Sequence, residues 1–404
     1  MITVDEAISI VLDRVEGLSV ESVALEQVHR RILAEDIRAD IDLPPFDRAR
    51  MDGYAVRSAD VAAAPVRLRV IGEVAAGVKF AQQLNPGEAV KIFTGAPVPD
   101  GANAVQKVEV TRSNGDSVEI LEPVIEGQFI TPHASEIAAG EVVAAAGREI
   151  GPAEMAVLAS FGYSSVRVGR RPRAAVISTG SELIDVSAKP SGAQIRNSNS
   201  YTLASYAERA GAAVDLLGTV EDTPAATRDA LLRAADGRDI VITSGGVSMG
   251  DYDLVKAALK EIDAEIYFDK VIIRPGKPIV FAKLGRTFFF GLPGNPVSTS
   301  VTFNVFVRPA IRKMQGDDSP LLPTVTALLS RDLKDSSSRR SYLPGRLYIE
   351  GAHAMVEPLK WSGLSDLVAF MQANALIVIR EEVHQVGEGE LVDVLVLTGS
   401  EDFV

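Results

Sequence analysis

Between residues 172 and 315 the chain alternates strand-length apolar runs with helix-length amphipathic segments, and few folds accept that alternation. Ala174–Ser178, Val214–Val220 and Asp239–Thr243 read as strands, separated by helices over Asn199–Ala210 and Pro224–Ala235. A helix over Tyr252–Ile262, three strands (Glu265–Ile273, Pro278–Lys283, Thr287–Phe290) and a long helix over Val297–Gln315 complete the pattern. It predicts a mostly parallel, doubly wound sheet with helices on both faces. In such sheets ligands bind outside the carboxyl ends of the strands.

The flanking segments have different periods. Thr3 and Glu6 make a capping box for a helix over residues 3–16, whose apolar face is Val4, Ala7, Ile8, Val11, Leu12 and Val15. Val23–Ile37 carries helical spacing through Leu25, Val28, Ile32 and Leu33, so a second helix is expected there. Leu43-Pro44-Pro45-Phe46 forces extended backbone and marks a boundary. From about residue 54 to 146, short β-rich runs (Val66–Val70, Ala89–Phe93, Ala104–Val110, Ser117–Ile120, Glu141–Val143) alternate with Gly, Pro and Asn turns, which predicts an all-β insertion. A helix is expected over Pro152–Phe161, and the tail after Pro320 returns to short β-runs, a small β domain. The expected fold is therefore multidomain α/β plus β. Residues 1–43 and 147–171 form an N-terminal helical linker domain, 44–146 an inserted β-rich lobe, 172–320 a doubly wound α/β domain and 321–404 a small C-terminal β-barrel-like domain.

Composition narrows the function. With 41 basic and 54 acidic residues the formal charge is −13, which disfavours a nucleic-acid binder. The absence of cysteine excludes disulfides, thiolate zinc sites and a Cys nucleophile. No apolar run reaches the ~20 residues of a membrane span, and the N-terminus lacks signal-peptide character, so a cytoplasmic location is expected. His29, His133, His353 and His384 lack metal-ligand spacing and read as structural or solvent-facing, Trp361 reads as core, and Ser178 and Ser181 lack a His partner for hydrolase chemistry.

The chemistry is expected in the loops after the strands. Thr179-Gly180-Ser181-Glu182-Leu183, Glu221-Asp222-Thr223-Pro224, Ser244-Gly245-Gly246-Val247-Ser248-Met249-Gly250-Asp251-Tyr252-Asp253, Arg274-Pro275-Gly276-Lys277-Pro278 and Gly291-Leu292-Pro293-Gly294-Asn295-Pro296-Val297-Ser298 all follow predicted strands. Glycines at helix starts let backbone amides approach a phosphate; tight turns are the competing explanation. Glu182, Asp222 and Asp253, with Asp251 nearby, place like charges together, and Mg²⁺ between carboxylates and phosphate oxygens resolves the repulsion. Asp222 and Asp251 each precede a helix, so helix capping competes for both. Arg274 and Lys277 at a strand end suit an oxyanion.

The strings Pro44-Pro45-Phe46, Met51-Asp52-Gly53-Tyr54-Ala55-Val56, Phe93-Thr94-Gly95-Ala96-Pro97, Thr179-Gly180-Ser181-Glu182-Leu183, Ser244-Gly245-Gly246-Val247-Ser248-Met249-Gly250-Asp251, Pro275-Gly276-Lys277-Pro278 and Gly291 to Ser298 resemble, in order, those of the MoeA family and the related gephyrin E domain. The Gly-rich strings are shared with smaller MoaB/Mog-type adenylyltransferase domains. The resemblance runs over residues 3–400. It implies four domains, an elongated homodimer with a cleft shared between subunits, and insertion of molybdate into adenylyl-molybdopterin with Mg²⁺-dependent release of AMP. It implies catalytic roles for Asp52, Glu182, Asp222, Asp253 and Lys277, with Glu182, Asp222 and Asp253 on the metal. Thr94 would join Asp52 in the partner's lobe. Gly180, Ser181, Ser244, Gly245, Gly246, Ser248, Gly250, Asp251, Arg274, Pro293, Gly294, Asn295 and Ser298 would line the cofactor site, and Arg340 with Ser362 a molybdate pocket. A molybdopterin adenylyltransferase is an implied protein partner.

The chain departs from the family pattern at Arg48-Ala49-Arg50, at Thr131 where an arginine is usual, at Arg274 where lysine is common, and at Arg340-Ser341-Tyr342-Leu343-Pro344. Arg48 and Arg50 are candidates to replace the charge missing at Thr131. Two other functions compete: a molybdopterin adenylyltransferase using the same α/β loops, and a non-catalytic scaffold of the same fold. No Gly-x-Gly-x-x-Gly fingerprint follows a strand, which argues against a dinucleotide oxidoreductase.

Overall fold

A computed structural model describes residues 1–247 and 254–397. The chain divides into two compact units, one comprising Met1–Ala34, Gly147–Ile150 and Val166–Val404, the other Glu35–Ala146 and Gly151–Ser165.

In the first unit, six strands form one sheet in the spatial order Ala213–Val220, Arg173–Thr179, Ile240–Ser244, Thr287–Leu292, Pro278–Leu284, Glu265–Lys270. The first four are mutually parallel, and Pro278–Leu284 alone runs against them. Successive residues bury into opposite cores. Ala174, Val176, Ile240, Ile242, Phe281, Phe288 and Phe290 join one hydrophobic cluster, whereas Ala175, Ile177, Val241, Val280, Ala282 and Phe289 join another. That period of two is the strand's own geometry. Helices Asn199–Arg209 and Pro296–Met314 supply the first core, Pro224–Ala235 and Leu254–Glu261 the second. The doubly wound expectation is met.

The N-terminal helix, Val4–Arg14, carries the capping box of Thr3 and Glu6 and buries Val4, Ala7 and Val11 in the first core. The long helix is one continuous run with a π-turn at Phe303–Val307 in its middle. After it, five strands close into a barrel: Arg340–Glu350 pairs with both His353–Pro358 and Ala375–Ile379, and Thr324–Leu329 with Leu391–Val396 complete the ring. Closure leaves no open edge within those five strands.

The helix expected over Val23–Ile37 does not form. Val20–Ala24 is a strand, Leu25–Gln27 a single 3₁₀ turn and Ile37–Arg38 a short strand. Backbone amides in this stretch bond distant carbonyls, Arg30 to Ile150, Leu33 to Arg148 and Ala34 to Arg167. Val28, Ile32 and Leu33 are buried, so spacing that mimics a helix reflects irregular backbone satisfied by tertiary pairing.

In the second unit a six-stranded sheet contains Val66–Val74, Glu88–Ile92, Ala104–Lys107 and Ser117–Ile120, close to the expected runs, although Val108–Val110, expected as strand, is a 3₁₀ turn. Its interior also holds Gly53–Val56, buried throughout and paired on both sides. A Cβ built on Gly53 would lie 1.9 Å from the Gln106 carbonyl oxygen, so only glycine fits that approach. Gly53→Ala is therefore expected to destabilise the lobe by about 1–3 kcal/mol or more; an unchanged thermal unfolding midpoint would refute this packing.

Candidate active site

The carboxyl ends of the parallel strands carry the expected loops into one concave region of the first unit. A pocket of about 630 Å³ is lined by Gly180, Glu182, Asp222, Ser244, Gly245 and Gly246, and by Pro293, Gly294 and Asn295. A second, of about 510 Å³, is lined by Arg274, Lys277 and Ser298 with Arg339, Trp361 and Ser362. Pro278, Pro293 and Asn295 belong to both walls, so the two are halves of one cleft.

The glycine loop is held by close backbone contact. Gly245 and Gly246 both have positive φ, and a Cβ on Gly245 would come within 2.4 Å of the Thr179 carbonyl oxygen. The loops after the first and third strands thus touch with no room for a side chain, leaving the backbone open to a ligand. Asn199 joins two more loops: its amide donates to Ser244 Oγ at 2.7 Å and to the Gly294 carbonyl at 2.8 Å. Asn199 and Arg196 both line the pocket but were absent from the sequence prediction. Arg196 ends the short strand Ile195–Arg196 and Asn199 opens the helix Asn199–Arg209; the polar run Arg196-Asn197-Ser198-Asn199 is the available signal.

Charge divides the cleft. Glu182 and Asp222 lie at one end, where Ser181 N donates to Asp222 Oδ2 at 3.2 Å. The helix after Asp222 is capped by Thr223, whose hydroxyl accepts from Ala226 N, so capping does not account for Asp222. At the other end, Arg274 pairs with buried Asp335 of the barrel region. Arg339 Nη1 donates to the Ile273 carbonyl at 3.0 Å, and Lys277's ammonium has no partner among the described residues. An unneutralised cation in a concave wall suits an oxyanion.

The barrel region is tied directly to this wall. Val297 N donates to the Leu364 carbonyl, and Ser365 Oγ to Asn295 Oδ1. Ser362 donates through both its amide and hydroxyl to Asp366, which caps the helix Leu367–Met371. The Ala369 amide, and then the Ser362 amide and hydroxyl, hold the Asp366 carboxyl below its ordinary range.

Two expectations change. Arg340 does not line the cleft: it forks onto Asp5 and pairs with Glu381, while its neighbour Arg339 lines the wall. Arg340 opens the strand Arg340–Glu350, whereas Arg339 lies in the bend before it, and the two side chains take different directions. Trp361, read as core, packs against two hydrophobic clusters and also lines the cationic pocket. Ser248, Gly250, Asp251 and Asp253 lie outside the described residues.

In the second unit, Thr94 donates its amide (2.7 Å) and hydroxyl (2.8 Å) to Asp52 Oδ1. Arg48 stands opposite Thr131 across a two-stranded pairing and reaches Glu136 at 3.3 Å, so Arg48 occupies the place beside the missing arginine. The Thr94 amide, and then its hydroxyl, lower the Asp52 pKa below its ordinary 3.8. Folding therefore favours the ionised carboxyl: the stabilisation is present above the ordinary value and disappears as pH falls through the depressed one. Thr94→Val removes only the hydroxyl, so in an NMR titration the Asp52 pKa is expected to rise part of the way back; no movement would contradict this assignment.

Family models described as MoeA N-terminal region (domain I and II), probable molybdopterin binding domain, and MoeA C-terminal region (domain IV) match residues 2–162, 175–313 and 326–397. Curated proteins called molybdopterin molybdenumtransferase are similar over nearly the whole chain. The Nostoc sp. protein is 38% identical, covering 93% of this chain and 88% of its own length, and the Haemophilus influenzae protein is 35% identical, covering 98% of each. A crystal structure of the molybdopterin biosynthesis MoeA protein from Pyrococcus horikoshii superposes with a TM-score of 0.84 at 31% identity, covering 98% of this chain and 100% of that one. The chain belongs to the MoeA family.

Proposed function

We propose that this chain is a molybdopterin molybdenumtransferase that inserts molybdate into adenylyl-molybdopterin and releases AMP, a step of molybdenum cofactor biosynthesis. The observation that carries this reading is the divided cleft, with carboxylates at one end, unneutralised cations at the other and glycine loops between. The curated relatives' shared name supports the transferase assignment. In this reading the Gly245–Gly246 and Gly294–Asn295 backbone receives the phosphate groups. Lys277, Arg274 and Arg339 then hold the oxyanion being transferred, with Ser298 and Ser362 beside them.

The carboxylate end fits Mg²⁺ by its donors. Glu182 and Asp222 are hard oxygen ligands with no thiolate or imidazole beside them, and Mg²⁺ is commonly held by one or two carboxylates plus substrate phosphates. No cluster of three acidic, His or Cys ligands occurs among the described residues, so Asp253 is proposed as the third carboxylate on sequence grounds. When bound, the ion would neutralise charge on the phosphoanhydride. Glu182 and Asp222 would hold it, Ser181 N orients Asp222, and Asn199 keeps the Ser244 and Gly294 loops in register.

The same reading includes the four-domain division given above, a cytoplasmic location, a homodimer in which Asp52 and Thr94 of one copy serve the partner's cleft, and receipt of substrate from a molybdopterin adenylyltransferase. No helix among the described residues is long and apolar enough to cross a membrane.

Reconstitution with adenylyl-molybdopterin, Mg²⁺ and molybdate tests the function. AMP release and active cofactor are expected, and both should fall about 100-fold or more in Glu182→Ala, Asp222→Ala and Lys277→Met. Adenylation of molybdopterin from ATP by the wild-type chain would instead assign the preceding step, and AMP release unaffected by these substitutions would remove the cleft from the chemistry.

A further inference from the structure

A separate pocket of about 160 Å³ shares no residue with the cleft. Its wall contains Arg30, Arg209, Arg308 and Arg312, with Glu149 as the acidic residue among those described. Such a concentration of guanidinium groups stands out in a chain of formal charge −13.

The carboxylates within reach do not neutralise it. Buried Arg312 takes Glu149 and Asp317, each at 2.5 Å. Arg30 lies 3.8 Å from the same Glu149. Arg209 has no ion pair among the described residues, and Arg308 has one hydrogen bond, from Nη1 to the Pro320 carbonyl at 2.6 Å. Among the described residues, four cations thus face two carboxylates. Burial, and then repulsion from Arg312, push the Arg308 pKa down to about 10, the behaviour of a guanidinium short of anionic partners. A guanidinium presents five donors, and most of those on Arg308 remain for something else.

The backbone shapes the wall. The π-turn Phe303–Val307 interrupts the long helix, and Asn304 and Arg308, within it and just after it, both line the pocket. π-turns inside α-helices are frequent at functional sites. Tyr206, stacked on Phe303 at 5.3 Å, closes another side. The space holds one phosphate-sized group and a few waters, each occupying about 30 Å³. It is far smaller than either half of the cleft, which excludes a nucleotide-linked pterin.

We propose that this pocket is a second, independent anion site that takes a single tetrahedral oxyanion, a phosphate group free or on a small ester, held by Arg209 and Arg308 with Arg30 at the rim. This assignment does not depend on the reaction carried out in the cleft. Isothermal titration of the full chain with inorganic phosphate, in a Lys277→Met background that removes the cleft's unpartnered ammonium, tests it. Saturable binding with Kd below about 1 mM is expected. It should weaken tenfold or more in Arg308→Met and equally in Arg209→Met, whose exposed position carries no folding risk. Binding that survives both substitutions, or no saturable binding at all, would overturn the proposal.

Discussion

The rest of the molecule depends on one constraint, that the inner strands of the central sheet are buried on both faces. Every strand residue of Ala174–Ile177 and Ile240–Ile242 is committed to one core or the other. Polar chemistry is thereby excluded from the sheet's surfaces and pushed to the strand ends, where loops meet water. Because four neighbouring strands run parallel, the loops after Thr179, Ser244 and Leu292 emerge at a common edge. The Gly245 backbone then approaches Thr179 more closely than any side chain would permit. The cleft is a consequence of burial before it is a feature of catalysis.

The closed barrel contributes the other half. Asp335 engages Arg274, Leu364 receives the Val297 amide, and the segment around Ser362 completes the cationic wall. Carboxylates on the sheet side and cations on the barrel side can coexist because they occupy opposite ends of a shared cavity. A nucleotide-linked substrate that carries both phosphate and an oxyanion-receiving centre matches that separation. The long helix links this cleft to the arginine pocket: its first turn, with Ser298, lines the cationic half, and its π-turn shapes the second site.

Much of this was legible in the residues. The capping box of Thr3 and Glu6, the strand–helix alternation and the glycine and proline loops each follow from local rules, and each is present. Failures arose where backbone partners are distant. Val23–Ile37 had helical spacing, yet its amides are satisfied by Arg148, Ile150 and Arg167, residues that no local window contains. Gly53–Val56, absent from the expected strands, sits inside its sheet because Tyr54 pairs with Lys91 and Gln106. Asn199 stayed hidden because its value lies in bridging Ser244 and Gly294, 45 and 95 positions away.

Pattern and residue type were enough to establish a doubly wound domain, its active edge and the acidic and basic groups there, since periodicity and loop chemistry are properties of short segments. Which neighbour faces the cavity was left to packing: Arg339, in the bend before the strand, lines it while Arg340 turns to Asp5. The same holds for the arginine pocket, assembled from Arg30, Arg209 and Arg308, which are nowhere near one another in the chain. Charges separated by hundreds of residues acquire a joint role only when folding removes the water between them.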